Sequence, residues 1–266
     1  MSAPPAALTV AGSDPCGGAG IQADLKTFHQ FGVYGAAALT CVTVQNSTRF
    51  SRVEALAPDL VREQIQAVLE DVHPAAVKTG ALANAEVVEA VAEILRECGL
   101  PVVIDPVLVT KHGAPLLSDS GRKALRKHLL PIAFLVTPNL DEASLLAGIE
   151  IAGVADMRRA AAMIAAETGV EAVLVKGGHL KEAPIDVLYW RGGWEQYASE
   201  RIATAHTHGT GCAYSAAITA LLASGVPLQD AVGQAKGWLT EAIRTNPGIG
   251  CGSGPINHVA PVRTAR

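Results

Sequence analysis

Val102-Val-Ile-Asp-Pro-Val107 sets the reading of the whole chain. Pro101 opens a short apolar run that ends abruptly on a carboxylate, the pattern of a buried strand giving way to a polar loop. Working outward, comparable runs stand at Leu8–Ala11, Ala37–Val44, Ala76–Lys78, Phe134–Val136 and Ala172–Val175. All are nearly continuous in apolar residues, as strands covered on both faces of a parallel sheet should be. Their starts at 8, 37, 76, 102, 134 and 172 leave room for a helix in each crossover. The expected fold is therefore α/β, a mostly parallel central sheet with helices on both faces.

The segments between the runs agree with this. Leu60, Val61, Ile65, Val68, Leu69 and Val72 share one helical face, with Asp59 placed as its cap. Val87, Val88, Val91, Ile94, Leu95 and Cys98 share another, in a helix expected to start after Asn84 and stop at Gly99. Cys212–Ser224 and Leu228–Thr245 read as two consecutive helices. Before them, Asp186–Trp190 and the turn Arg191-Gly-Gly-Trp194 predict a hairpin. No repeat or linker divides the chain, so one domain is expected over residues 1–266.

Composition narrows the function classes. The 266 residues are 49% apolar and 17% charged, with a net charge of −4, which excludes a disordered chain and offers no basic run for nucleic acid. No apolar run reaches the roughly 18 residues needed to span a bilayer, and no positive charge precedes Lys26, so neither a membrane span nor a signal peptide is expected. Five scattered cysteines without a C-x-x-C pair argue against disulfides and structural zinc, and fit a reducing, cytoplasmic setting.

Ligands of open parallel sheets bind beyond the carboxyl ends of the strands, so the polar residues there carry the functional reading. The first loop, Gly12-Ser-Asp-Pro-Cys-Gly-Gly-Ala-Gly20, lacks the Lys-Ser/Thr ending of a P-loop. It matches a relaxed dinucleotide pattern, but the acidic residue expected about 20 residues later is missing. Asp24, just beyond it, is either a first-turn helix charge or a ligand contact. Gln45-Asn46 ends the second run, suited to a pyrimidine or pyridine edge or simply to a turn. Asp105 either caps a turn or holds a hydrated Mg²⁺, and Val107–Gly113 has the makings of a flap. Asn139 and Glu142 stand at capping-box spacing, or else meet phosphate and metal. Lys176, at the mouth of a buried strand, calls for an anion partner. His179 reads as structural.

The most informative stretch is Thr207-His-Gly-Thr-Gly-Cys-Ala-Tyr214. Gly209, Thr210 and Gly211 would present successive N–H groups at a helix N-terminus, an anion hole. Cys212 would sit at the positive end of the dipole, where its thiol pKa is expected to fall. The alternative for Cys212 is a small buried helix residue.

Together these motifs resemble the hydroxymethylpyrimidine/phosphomethylpyrimidine kinases of thiamine biosynthesis, within the ribokinase-like superfamily. The likeness runs from about Leu8 to His258 and includes Ala11–Thr27, Gln45-Asn46, Val77–Gly80, Asp105–Val107, Thr137–Asn139, Val175–His179, Thr207–Cys212 and Gly254–His258. The resemblance implies a single ribokinase-like domain and an ATP- and Mg²⁺-dependent phosphorylation of 4-amino-5-hydroxymethyl-2-methylpyrimidine, then of its monophosphate. It implies that Asp24 and Gln45 bind the pyrimidine, with Ala19 and Val107 along its faces. Asp105 and Glu142 would organise Mg²⁺, Asn139 and Lys176 would meet ATP phosphates, and Cys212 would stand where many relatives have an aspartate base. A homodimer is also implied.

Three departures from the family pattern stand out. Ala81 replaces a usual Met, His112 a usual Ser in the flap, and Cys16 a usual Ser. The missing bulk at Ala81 keeps a pyridoxal-type acceptor open. The alternatives of another class are a non-catalytic pyrimidine-binding protein and a dinucleotide oxidoreductase.

Overall fold

The computed structural model describes residues 3–109, 113, 115–181 and 183–262. Among them, nine strands form one sheet: β1 (Ala6–Ser13), β2 (Tyr34–Gln45), β3 (Phe50–Ala55), β4 (Ala76–Thr79), β5 (Val102–Ile104), β6 (Leu135–Val136), β7 (Ala172–Val175), β8 (Ile185–Trp190) and β9 (Gly193–Ala198). Their spatial order is β3-β2-β1-β4-β5-β6-β7-β8-β9. The pairs from β2 across to β7 are parallel, while β3, β8 and β9 join antiparallel. The chain reverses direction across the sheet between β1 and β4, which opens a crevice at their carboxyl ends.

Alternating strand residues feed two cores, because successive side chains point to opposite faces. Leu8, Val10, Val77, Ile104, Val136 and Val175 pack under the helices α2 (Pro58–Asp71), α3 (Ala85–Arg96), α5 (Leu140–Ala147) and α6 (Val154–Thr168). Ala7, Val103, Leu135 and Leu174 face the other side, covered by α1 (Gly20–Gln30), α7 (Thr210–Ala223) and α8 (Leu228–Arg244). Between β5 and β6 the crossover is a short helix α4 (Asp119–Ala124) running into a π-helical turn at Leu125–Leu129.

Helix limits follow the local chemistry. Asn84 caps α3 by accepting the Val87 N–H at 2.9 Å, as its position predicts. Asp59, expected to cap α2, instead lies inside its first turn, because Pro58 already supplies a preset φ at the first helical position. There its charge meets the helix dipole and pairs with Arg62 at 2.7 Å. The predicted hairpin is β8–β9, closed through Arg191 and Gly192, both at positive φ.

The second run differs from the expectation of burial on both faces. β2 continues one residue past a bulge at Val44–Gln45, pairs with the unpredicted β3, and leaves Val42 and Val44 exposed. Among the described residues, no helix covers Val42 and Val44.

Candidate active site

Two glycine turns lock together at the crevice. Gly20 starts α1 at φ +58, and a Cβ there would lie 2.3 Å from the Gly12 carbonyl oxygen. Gly209 precedes α7 at φ +75, and a Cβ there would lie 1.7 Å from the Gly18 carbonyl oxygen. Only a residue without a side chain fits either place. The turns thereby bring the N-terminal ends of α1 and α7 side by side. Thr210 closes the second turn by donating from Oγ1 to the Thr207 carbonyl at 3.2 Å.

Cys212 lies in the first turn of α7, and the Gly20 N–H at the start of α1 points at its sulfur. The dipole was expected to lower its pKa; dehydration wins instead. Burial raises the thiol to about 11, with Asp24 and Asp105 adding to that, against the opposing pull of the Lys78 ammonium and the Gly20 N–H. Below that pH the sulfur holds its proton until a deprotonating event is favoured.

Asp24 is held by an internal lysine. It is completely buried, accepting from Thr9 Oγ1 at 2.6 Å and from Lys78 Nζ at 2.8 Å. It lies beyond the first turn of α1 and out of water, bonded through Oδ2 to Lys78 of β4, while its Oδ1 is buried without a hydrogen-bond partner among the described residues. Its partner Lys78 is also fully buried. Burial alone would push that ammonium toward neutrality, but Asp24, Cys212 and Asp105 outweigh it and hold the pKa above the ordinary value. Lys78 carried no assigned role in the sequence. Its signal was there, a lysine in the middle of a four-residue strand whose neighbours are all buried.

Four other candidates do converge, at the carboxyl ends of β5, β6 and β7. Asp105 Oδ1 accepts from Lys176 Nζ at 2.8 Å and from Thr137 Oγ1 at 3.4 Å. Asn139 caps α5 and Glu142 answers it, each accepting the other's backbone N–H, at 2.9 and 2.8 Å. The capping box is real, and it also aims Glu142 inward, where only 4% of it is exposed. Burial raises the Glu142 pKa to about 7; Lys176 opposes this, Asp105 adds to it, and backbone N–H groups of Asn139 and Leu108 oppose it. For Lys176, burial works against the charge, but Asp105 and Glu142 hold the ammonium protonated. A divalent cation fits two such carboxylates: it would relieve their mutual repulsion and take oxygen donors it prefers.

A Cβ on Gly211 would come 3.3 Å from Lys176 Nζ and 3.5 Å from Asp105 Oδ2, so the α7 turn faces this charged group. Beyond it opens a cavity of about 380 Å³ lined by Asn139, Lys176, His179, Asp186, Thr210 and Lys236 among others. His179 is an exposed wall residue there. Asp186 and Lys236 were not picked out from the sequence; they form a buried ion pair at 2.8 Å. Lys236 sits on the α8 face otherwise made of Val232, Ala235 and Leu239, which is where a lysine looks out of place.

Gln45 ends β2 half-buried, its Nε2 donating to Thr43 Oγ1 at 3.1 Å, while Asn46 makes a turn by accepting from the Thr48 and Arg49 N–H groups at 3.0 Å each. Ala19 and Val107 are both half-buried, Ala19 N donating to Asp14 at 2.8 Å and Val107 N to the Asp105 carbonyl at 2.8 Å. Ala81 is half-buried next to Gly12, in the floor of the same loop. Of the flap, Thr110, Lys111 and His112 lie outside the described residues. No helix among the described residues is long and apolar enough to cross a membrane.

Comparison with known proteins agrees with this geometry. The family model described as phosphomethylpyrimidine kinase matches residues 14–257. A hydroxymethylpyrimidine/phosphomethylpyrimidine kinase of Synechococcus elongatus is 47% identical over 260 residues, covering 97% of this chain and 98% of its own. The Bacillus subtilis protein of the same description is 43% identical over 257 residues, with 96% and 94% covered. Among solved structures, an ADP complex of Bacillus subtilis pyridoxal kinase superposes with a TM-score of 0.89 at 40% identity, covering 97% and 98%. A phosphomethylpyrimidine kinase from Clostridium difficile superposes with a TM-score of 0.80, also at 40% identity, over 90% and 99%. With two interlocked glycine turns at a charged crevice and likeness along nearly its full length, this chain belongs to the phosphomethylpyrimidine kinase family.

Proposed function

We propose that this kinase transfers the γ-phosphoryl group of ATP to the hydroxymethyl group of an aminopyrimidine, and then a second phosphoryl group to the resulting monophosphate. The observation that carries the reading is the facing of the Gly209–Gly211 turn and the Lys176–Asp105–Glu142 group across one gap, with Cys212 beside it. Phosphoryl transfer needs in-line positioning and neutralisation of the equatorial oxygens more than covalent help. Backbone N–H groups at the start of α7 and the Lys176 ammonium supply fixed positive charge for the migrating group. Asn139, on the cavity wall, meets the nucleotide phosphates alongside Lys176. Asp105 and Glu142 would hold Mg²⁺, which supplies charge neutralisation on the phosphate oxygens when bound.

Gln45, Ala19 and Val107 line the acceptor side. Cys212 serves as base in its thiolate form, which the fixed positive charge of Lys78 favours: the thiol first gives its proton to solvent, and the thiolate then takes the hydroxyl proton in the first transfer and returns to the thiol. The second acceptor is a phosphate with a second pKa near about 6, so it is already largely ionised at neutral pH. That difference separates the two steps chemically. The chain acts as one domain, and as a homodimer in which the exposed Val42 and Val44 side of the sheet is the face open to a second copy. Sedimentation giving a monomer at micromolar concentration would remove the dimer from the reading.

A second reading, phosphorylation of pyridoxal, is favoured by one feature: a small, half-buried alanine at position 81 close to Gly12. A coupled ADP-release assay on the hydroxymethyl pyrimidine, its monophosphate and pyridoxal, with and without Mg²⁺, tests both. The pyrimidine should give the larger kcat/KM by tenfold or more and need Mg²⁺; a larger value with pyridoxal reverses the order, and no ADP with any acceptor overturns the kinase mechanism.

A further inference from the structure

Asp14, Cys16 and His208 take no part in the transfer chemistry above, yet their ligating atoms all lie within 4.8 Å of one another. They come from two separate segments, the loop after β1 and the turn before α7. We propose that these three side chains form a binding site for zinc or a similar borderline-soft divalent cation, distinct from the Asp105–Glu142 pair.

The donors are already arranged. His208 Nε2 stands 2.9 Å from Asp14 Oδ2, a hydrogen-bond length a few tenths of an ångström short of the edge of a tetrahedral zinc shell, so the two donors need only part slightly to take an ion. Asp14 is fixed in place and ionised: although burial works against its charge, the His208 bond and the backbone N–H groups of Cys16 and Ala19 hold its pKa below the ordinary value. The Cys16 and Ala19 N–H groups are at 2.9 and 2.8 Å, with Gly18 N–H at 3.1 Å. The His208 backbone is anchored too, its N–H donating to the Gly254 carbonyl at 3.0 Å. Its ring packs where Gly18 has no side chain, since a Cβ there would meet Cδ2 at 2.7 Å. Cys16 is the exposed, movable member, its Sγ donating to the Gln45 carbonyl at 3.5 Å and also bonded to the Asp14 carboxylate. It is therefore free to turn onto an ion seated between the other two.

One sulfur, one imidazole and one carboxylate select zinc over magnesium, which prefers oxygen donors throughout. Three protein donors leave a fourth position for water, so the site is exchangeable rather than closed. On binding, the Cys16 thiol loses its proton to solvent and the S–metal bond forms. The His208 ring moves its Nε2 proton to Nδ1 and coordinates through Nε2. No oxidation or reduction occurs. Lys26, bonded to the Gly17 carbonyl at 2.7 Å, and His258, buried and kept neutral, are the charged and titratable neighbours behind the loop. A bound ion ties the loop after β1 to the turn before α7, across the joint that Gly18 and Gly209 form.

The test is a titration of the full, reduced, metal-stripped chain with Co²⁺ and with Zn²⁺ against a chromophoric chelator, in millimolar Mg²⁺. One equivalent of Co²⁺ should give a thiolate-to-cobalt charge-transfer band in the near ultraviolet. Cys16→Ser should abolish the band and weaken Zn²⁺ by at least about tenfold, while Cys212→Ser and Cys251→Ser keep both. His208→Gln, checked by circular dichroism for folding, should weaken Zn²⁺ likewise. A band that survives Cys16→Ser, a band lost in Cys212→Ser, or no binding at 0.1 mM Zn²⁺ would overturn the site. Kinase activity measured with Mg²⁺ alone is a separate result, so failure here leaves the proposed reaction standing.

Discussion

Gly211→Ala should make the protein slightly more stable and nearly inactive. Gly211 lies inside the first turn of α7 and is not among the positive-φ glycines. Alanine there removes the unfolded-chain entropy of glycine and improves helix propensity, worth about 0.5–1 kcal/mol. For a chain of this size that is a rise of about 1–3 °C in melting temperature. The new methyl finds room, its nearest neighbours being Lys176 Nζ at 3.3 Å and Asp105 Oδ2 at 3.5 Å. Lys176 is the end of a flexible side chain and can give the few tenths of an ångström required. That same space is where the proposed transfer puts the phosphoryl group, between the α7 turn and the Lys176 ammonium. A displacement of about 1 Å in such a reaction costs roughly a hundredfold in kcat. Differential scanning fluorimetry and a coupled kinase assay read the two effects on one preparation. Activity within about threefold of the parent, at unchanged or higher melting temperature, would refute the placement of the transferred group.

Three other perturbations probe separate parts of the site. Cys212→Ala should depress the first phosphoryl transfer far more than the second, read as separate rates with the alcohol and the monophosphate; equal losses remove cysteine from proton transfer. Lys78→Met strands a buried Asp24 carboxylate and should cost about 3–5 kcal/mol in urea unfolding, whereas Asp24→Leu together with Lys78→Met should recover part of that loss; a single-variant cost under about 1 kcal/mol contradicts the buried pair. Burial, with Lys26 and His208 adding, holds His258 at a pKa of about 4 against 6.5 when free. The unfolded chain thus binds the extra proton first, so its contribution is intact above pH 6.5 and is lost as pH falls from 6.5 toward 4, at up to about 1.4 kcal/mol per unit. His258→Phe, followed in a chelator-containing buffer, should flatten melting temperature across that window, and an unchanged slope would show that other groups set it.

The parallel core was legible because its strands are short and buried on both faces: Val102–Ile104 and Ala172–Val175 coincide with β5 and β7. β3 was not, since Phe50-Ser-Arg-Val-Glu-Ala55 alternates apolar with exposed charge, and its partner β2 had been read as fully covered. Asp105, Asn139, Glu142 and Lys176 could be gathered from sequence because each sits just past a strand, where the topology must bring strand ends together. Asp24 stayed ambiguous because a carboxylate near the start of a helix looks the same in sequence whether it meets water, ligand or a buried ammonium. Its buried lysine partner is 54 residues away, on β4. The direction of the Cys212 pKa was likewise out of reach, since dehydration depends on what closes over the sulfur and the dipole does not report it.

α7 has almost no free side. From Ala213 to Leu221 every residue is buried, and the helix lies between α1 and α8 against β1, β4 and β5. Its small side chains let neighbours approach closely all round, so any tilt would open voids on one flank and clashes on the other. Whatever closure accompanies turnover must therefore come from the acceptor side, with the phosphate-receiving end acting as a fixed anvil. Such a division lets the nature of the alcohol drift while the transfer machinery stays put, consistent with one shared frame among solved relatives named for pyridoxal and for phosphomethylpyrimidine.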